Sequence, residues 1–170
     1  ALFLRRGSPA NEVPGVDLAA LLDDSADAAA LKVGVRSAAD LVWKDALDAF
    51  TCTECGRCKD ACPTYLTGKP LSLKWVNDSL KHHLLEQRET LLAPPPKADA
   101  AAADDPLPPL VGSVIGEDTL WACTTCGACQ EVCPVFIDHP LKILQMRQHI
   151  VLNDESGRPP GEVTRSLGNI

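Results

Sequence analysis

Residues 52–63 read CTECGRCKDACP, and residues 123–134 read CTTCGACQEVCP. All 8 cysteines of the 170-residue chain fall in these two runs, each of them C-x2-C-x2-C-x3-C-P. Corresponding positions lie 71 residues apart throughout. A gap of two lets three thiolates turn inward from one tight loop onto one inorganic cluster. Gly56 and Gly127, each just after the second Cys of its run, permit the backbone conformations such a wrap requires. The fourth Cys sits a helical turn further on, and Pro63 or Pro134 then turns the chain away. This is the spacing of cubane [4Fe–4S] sites. Structural zinc takes four ligands, usually as two separated pairs, which leaves two four-Cys runs with a proline after each unexplained. A disulfide framework belongs to small secreted chains. The spacing predicts two [4Fe–4S] clusters.

Composition points the same way. The chain is acidic, with 16 Lys+Arg against 23 Asp+Glu and a net charge of −7. Non-specific nucleic-acid binding rests on a dense basic surface and is not expected here. The 45% hydrophobic content includes 21 Ala and 8 Cys, and only seven residues are aromatic. Large side chains alone are too few to hold the fold, so the clusters are expected to replace part of the core. No window approaches 18 consecutive apolar residues, as a spanning helix needs. The opening Ala-Leu-Phe-Leu run is too short for a secretory signal and precedes its Arg pair. Without an initiator Met, the chain is expected to be processed or to belong to something longer.

Outward from the cysteines, the pattern is helical. Residues 1–36 read as an extended arm with one short helix near Leu18–Leu22. Ser37-Ala-Ala-Asp40 resembles a capping box. Trp43, Leu47 and Phe50 follow at i, i+4 and i+7, an apolar stripe leading into the first run. Glu117-Asp118 start a shorter helix before the second. Phe50 and Trp121 each lie two residues ahead of a first Cys, placed to shield a cluster or simply to pack the core. A helix is predicted from about Ser72 to Leu92, with Leu73, Val76, Leu80, Leu84 and Leu91 on one face and His82 and His83 facing solvent. Residues 94–109 carry six of the 14 prolines and read as a flexible linker. Asp138 is an N-cap candidate, with Pro140 in the first turn of a helix reaching about Leu152. Arg158-Pro159-Pro160-Gly161 breaks the chain, and residues 157–170 restart a helical spacing that stops early. No alternating β-branched run of strand length appears. The expectation is therefore all-α: one domain over 37–156, its two cluster loops set between helices.

The segments LDAFTCTECGRCKDACPTYLTGKPLS and LWACTTCGACQEVCPVFIDHPLKILQMRQHIV resemble the α-helical ferredoxin domain of heterodisulfide-reductase-like (Fe–S)-binding oxidoreductases, in its membrane-linked branch, over about residues 37–165. That resemblance implies single-electron relay in a respiratory chain between a flavoprotein or dehydrogenase donor and a quinone- or haem-binding membrane partner. It further implies a place at the cytoplasmic face of the membrane, and thiolate–iron clusters favour a reducing compartment in any case. In that branch a membrane segment often precedes the domain and a Cys-rich CCG domain often follows. Neither is found in these 170 residues. Ala1-Leu-Phe-Leu-Arg5-Arg6 suits the cytoplasmic edge of a membrane segment and equally a frayed terminus. No catalytic dyad, phosphate loop or dinucleotide motif is visible, so the segment is not expected to have a catalytic site of its own. The competing class is a redox-sensing or structural iron–sulfur protein in a regulatory complex, although no basic recognition helix accompanies the clusters.

In two-cluster ferredoxins the fourth Cys of each run binds the other run's cluster. Reach explains this: three Cys in a tight loop surround one cubane, and the fourth, leaving on a helix, points across. The expected sets are Cys52, Cys55, Cys58 and Cys133 for the first cluster, and Cys123, Cys126, Cys129 and Cys62 for the second. Thr51, Thr53, Thr124 and Thr125 flank these ligands, as donors to sulfur or as surface hydroxyls. Arg57 and Lys59 stand near the first set, where the second has Ala128, Gln130 and Glu131. Positive charge stabilises a reduced cluster, so the first is expected to have the higher potential.

Overall fold

A computed structural model describes residues 33–93 and 107–153, together with Ala19. Of the expected helix near 18–22 only Ala19, which is helical, is described; the expected helix in 157–170, most of the 94–109 linker and the basic N-terminal edge lie outside the described residues. Within them the fold is helical and without a strand; one isolated bridge, Val111 to Ile115, is the sole β pairing among them. The main elements are α1 (Trp43–Thr51), α2 (Arg57–Asp60), α3 (Pro63–Leu66), α4 (Leu73–Glu86), α5 (Arg88–Leu92), α6 (Glu117–Ala122), α7 (Ala128–Glu131) and α8 (His139–Asn153). This is the all-α architecture the sequence predicts, with each cysteine run lying between helices.

The core follows the apolar stripe of α4. Leu73, Val76, Leu80 and Leu84 are buried along it, and they meet Leu110, Leu120, Ile143 and Met146 in one cluster that also takes in Cys58, Cys62 and Cys129. The predicted helix over 72–92 bends at Gln87, where α4 gives way to α5. Ser37 and Asp40 do form a capping box, but it closes a 3-10 turn over Ala38–Asp40, and α1 begins three residues later. Asp138 caps α8 by accepting from the Leu141 N–H at 3.4 Å.

Three expectations are corrected. The stripe of α1 faces outward: Trp43 is 77% exposed, Phe50 51% and Leu47 39%, while Asp45, Asp48 and Ala49 turn inward. The buried face of α1 tolerates charge because Asp48 is met by Lys44 one turn back and by the buried Lys142, which arrives from α8, 94 residues away. His83 is buried rather than solvent-facing, and only His82 stands at the surface. The core also takes in residues read as arm or linker. Val33 and Val35 are buried ahead of Ser37, and Leu107 is buried within 94–109. The Val35 N–H bonds the Gln145 carbonyl of α8 at 3.0 Å, and the Leu110 N–H bonds the Arg36 carbonyl at 2.7 Å. An extended segment is thereby laid between α8 and the chain that follows the linker.

Candidate iron–sulfur site

The two cysteine loops are one backbone written twice. Gly56 has φ 83° and Gly127 φ 78°, each opening a four-residue helix that carries the third Cys. Both lie in the left-handed region, where glycine is favoured because any Cβ crowds the following carbonyl. Two residues earlier, Glu54 and Thr125 share φ 53°. For a β-branched residue such as Thr125 this is a strained conformation, of the kind that persists where surrounding structure imposes it. The burial order repeats as well. The first Cys of each run is half-buried, the second exposed, and the third and fourth buried. After the fourth Cys the duplication ends, with α3 following Cys62 and a turn with Phe136 at φ 58° following Cys133.

None of the eight thiols forms a disulfide. A cavity of about 300 Å³, including the space at its mouth, is lined by Cys52, Cys55, Cys58 and Cys133, with Ile137 and His139 behind them. The charge at Cys58 is felt from Cys52, Cys133 and Cys55, whereas Cys123 feels Cys62 and Cys126. Each fourth cysteine is thus brought beside the other run. Two ties across the molecule account for this. The Thr64 hydroxyl, just past Cys62, donates to the Ala122 carbonyl, just before Cys123, at 3.1 Å. The Asp138 N–H, just past Cys133, donates to the Asp48 carboxylate, just before Cys52, at 3.1 Å. Helices α2 and α7 pack against each other between the loops.

The surroundings suit thiolate–iron chemistry. Backbone N–H groups point at sulfur: Thr125 N to Cys123 Sγ at 3.4 Å, and Ile137 N to Cys133 Sγ at 3.3 Å. The Arg57 and Lys59 N–H dipoles also favour charge at Cys55 and Cys58, that of Lys59 while it is bonded to the Gly56 carbonyl at 3.0 Å. Of the flanking threonines, the Thr53 hydroxyl reaches Cys55, but that of Thr125 turns to the Thr124 carbonyl. Lys59 is drawn to Asp60 at 3.5 Å and over the Tyr65 ring. One contributor has no mark in the cysteine runs, and sequence reasoning missed it: Arg147. From α8, half-buried over Trp121, it donates to the Leu120 and Cys123 carbonyls, both at 2.6 Å, and its charge acts on Cys123. The second loop therefore has a cation of its own, contributed by a distant helix. His139, buried at the first cavity, is held near pKa 3 chiefly by burial and then by Lys142, so it brings no charge.

Burial pushes the Cys58 thiol up to about 11 and the Cys129 thiol up to about 12. Iron must displace those protons as it binds. Cys55, fully exposed, is lowered, first by the Arg57 N–H. In the cluster-free chain at pH 8, iodoacetamide should alkylate Cys55 roughly a hundredfold faster than Cys58, because the thiolate is the reactive form. Mass spectrometry of a labelling time course measures this, and equal rates would mean that the cavity does not outlast its cluster.

Fold and site together define a helical domain built around two iron–sulfur clusters. The chain belongs to the 4Fe-4S dicluster domain family, whose model matches residues 48–137, and it carries two [4Fe–4S] clusters. It is 38% identical over 150 residues to the "EtfAB:quinone oxidoreductase" of Syntrophomonas wolfei, covering 81% of this chain and 21% of that protein. It is 35% identical over 160 residues to the "Probable membrane-anchored ferredoxin" of Chromohalobacter salexigens, covering 90% and 23%. It is 32% identical over 160 residues to the "Probable iron-sulfur-binding oxidoreductase FadF" of Bacillus subtilis, covering 81% and 22%. The chain thus spans less than a quarter of the length of each of these three relatives. No solved structure matches it.

Proposed function

We propose that this domain is the relay of a larger oxidoreductase. It takes single electrons from a flavoprotein or dehydrogenase and passes them toward a quinone- or haem-binding partner at the cytoplasmic face of a membrane. The observation that carries the reading is the paired site itself. Two loops of one geometry, with each fourth cysteine beside the other run, bring two one-electron centres together, which suits conduction rather than bond-making. When bound, each cubane accepts and gives up one electron, and its potential is set by hydrogen bonds to sulfur, charge and burial. The chain's own residues hold the clusters, supply N–H donors and exclude water at the third and fourth ligands.

The ligand sets proposed are Cys52, Cys55, Cys58 and Cys133 for the first cluster, and Cys123, Cys126, Cys129 and Cys62 for the second. The cavity lined by Cys52, Cys55, Cys58 and Cys133, and the charge of Cys62 at Cys123, support this assignment. The names of the relatives support a quinone-linked and membrane-associated setting. Among the described residues no helix is long and apolar enough to cross a membrane. The outward face of α1, the helix that leads into the first loop, leaves Trp43 and Phe50 exposed and suits contact with another part of the complex.

Purification under mild detergent, with identification of what comes with the protein, tests the proposal. A flavoprotein and a quinone- or haem-binding membrane component are the expected companions. A domain that leaves alone, soluble and fully active on a small substrate would refute it.

A further inference from the structure

The buried acid of α1 does more than balance a lysine. Asp48 and Lys142 each have a side chain only 3% exposed and meet at 3.0 Å. The same Asp48 Oδ2 accepts the Asp138 N–H at 3.1 Å. One residue back, the Ile137 N–H points at Cys133 Sγ at 3.3 Å. The carboxylate therefore fixes the peptide chain at the position that aims a hydrogen bond at a cluster sulfur. We infer that Asp48 is a positioning residue for the first cluster: through Asp138 it orients the Ile137 N–H onto Cys133 and so raises that cluster's potential. The inference rests on Cys133 belonging to the first cluster.

Hydrogen bonds to sulfur stabilise the reduced, more negative cluster. Their strength depends steeply on direction, so a backbone held from one side only would waver. Asp48 is held from two more directions, by Lys142 from α8 and by Lys44 from its own helix. Burial raises Asp48 but the two lysines and the Asp138 N–H outweigh it, leaving its carboxyl below the usual range and ionised. Nearby Asp45 and Asp138 are both raised, chiefly by burial. Asp48 is therefore the one of the three with the strongest call on the charge.

Removing Asp48 alone would strand Lys142 and change both charge and hydrogen bonding. The test therefore uses Lys142→Met as a common background, with Asp48→Asn in one protein and Asp48→Leu in the other. Both lack the ion pair and have side chains of similar shape, and only Asn retains an acceptor for the Asp138 N–H. Potentials of both clusters are read by EPR-monitored titration, with signals assigned by their response to substitution of Arg57 in the first loop and of Arg147 at the second. The expected result is a lower first-cluster potential in the Leu protein than in the Asn protein, with the second cluster equal in both. Should the Leu protein fail to keep its first cluster, Asp48→Ser, with a shorter acceptor, takes its place and should fall below Asn in the same way. Equal first-cluster potentials would overturn the positioning role and leave the ligand assignment standing. A shift confined to the second cluster would overturn both.

Discussion

Gly34→Ala is expected to destabilise the domain by about 2–5 kcal/mol, a large part of the stability of an ordinary domain. Gly34 has φ +76°, and a Cβ there would lie 2.4 Å from the Gln145 carbonyl oxygen and 2.5 Å from the His149 backbone N. Neither atom is the free end of a side chain. Both belong to the backbone of α8, which is tied to the neighbouring Val35 N–H, so the helix itself must move. The left-handed conformation adds about 1–2 kcal/mol for any residue with a Cβ. Gly68→Ala separates the two contributions: Gly68 has φ +78° but nothing within 4 Å of an added Cβ, so its variant should lose only the second. Denaturant unfolding of the two variants measures the difference, and equal losses would show that the segment before Ser37 does not press on α8.

That glycine marks a boundary of what the sequence discloses. The cysteine runs were readable in full, because an iron–sulfur loop dictates residue type and spacing at each ligand, and the left-handed glycines follow from the same wrap. The apolar face of α4 was readable because it is local: Leu73, Val76, Leu80 and Leu84 repeat with the helix and pack as they repeat. Helix α1 misled for the converse reason. Its apolar stripe is real, yet the face that packs carries Asp45 and Asp48; Lys44 pairs with Asp48 locally, but the buried lysine that joins it, Lys142, is far away in the chain. A local pattern contains no sign of a distant counter-charge. Arg147 escaped notice likewise, since nothing in its own surroundings refers to Cys123. Its presence places a cation at the second loop, as Arg57 and Lys59 are placed at the first.

Loss of the second cluster alone is the expected result of Cys62→Ser, and loss of the first alone that of Cys133→Ser. A serine oxygen is a poor substitute for a thiolate toward iron, and an incomplete ligand set leaves its cubane open to solvent. If the runs were independent, each substitution would strike the cluster of its own run. The ties that carry the crossed outcome are Thr64 to Ala122 on one side and Asp48 to Asp138 on the other. Each joins the exit of one run to the entrance of the other. The effect should be all or nothing for the affected cluster, with near-complete retention of its neighbour. The crossing also binds the two halves of the chain, so either variant should unfold more readily than the parent.

The measurement that bears most directly on the account is an EPR-monitored reductive titration with iron counting on the parent and on Cys62→Ser. The parent should bind about eight irons per chain, two cubanes of four, and take up two electrons in two one-electron steps, its fully reduced signal broadened by interaction between neighbouring clusters. Cys62→Ser should lose about half the iron and keep a single, unbroadened signal that still responds to substitution of Arg57, which lies in the first loop. A remaining signal that responds to Arg147 and not to Arg57 would contradict the crossed arrangement.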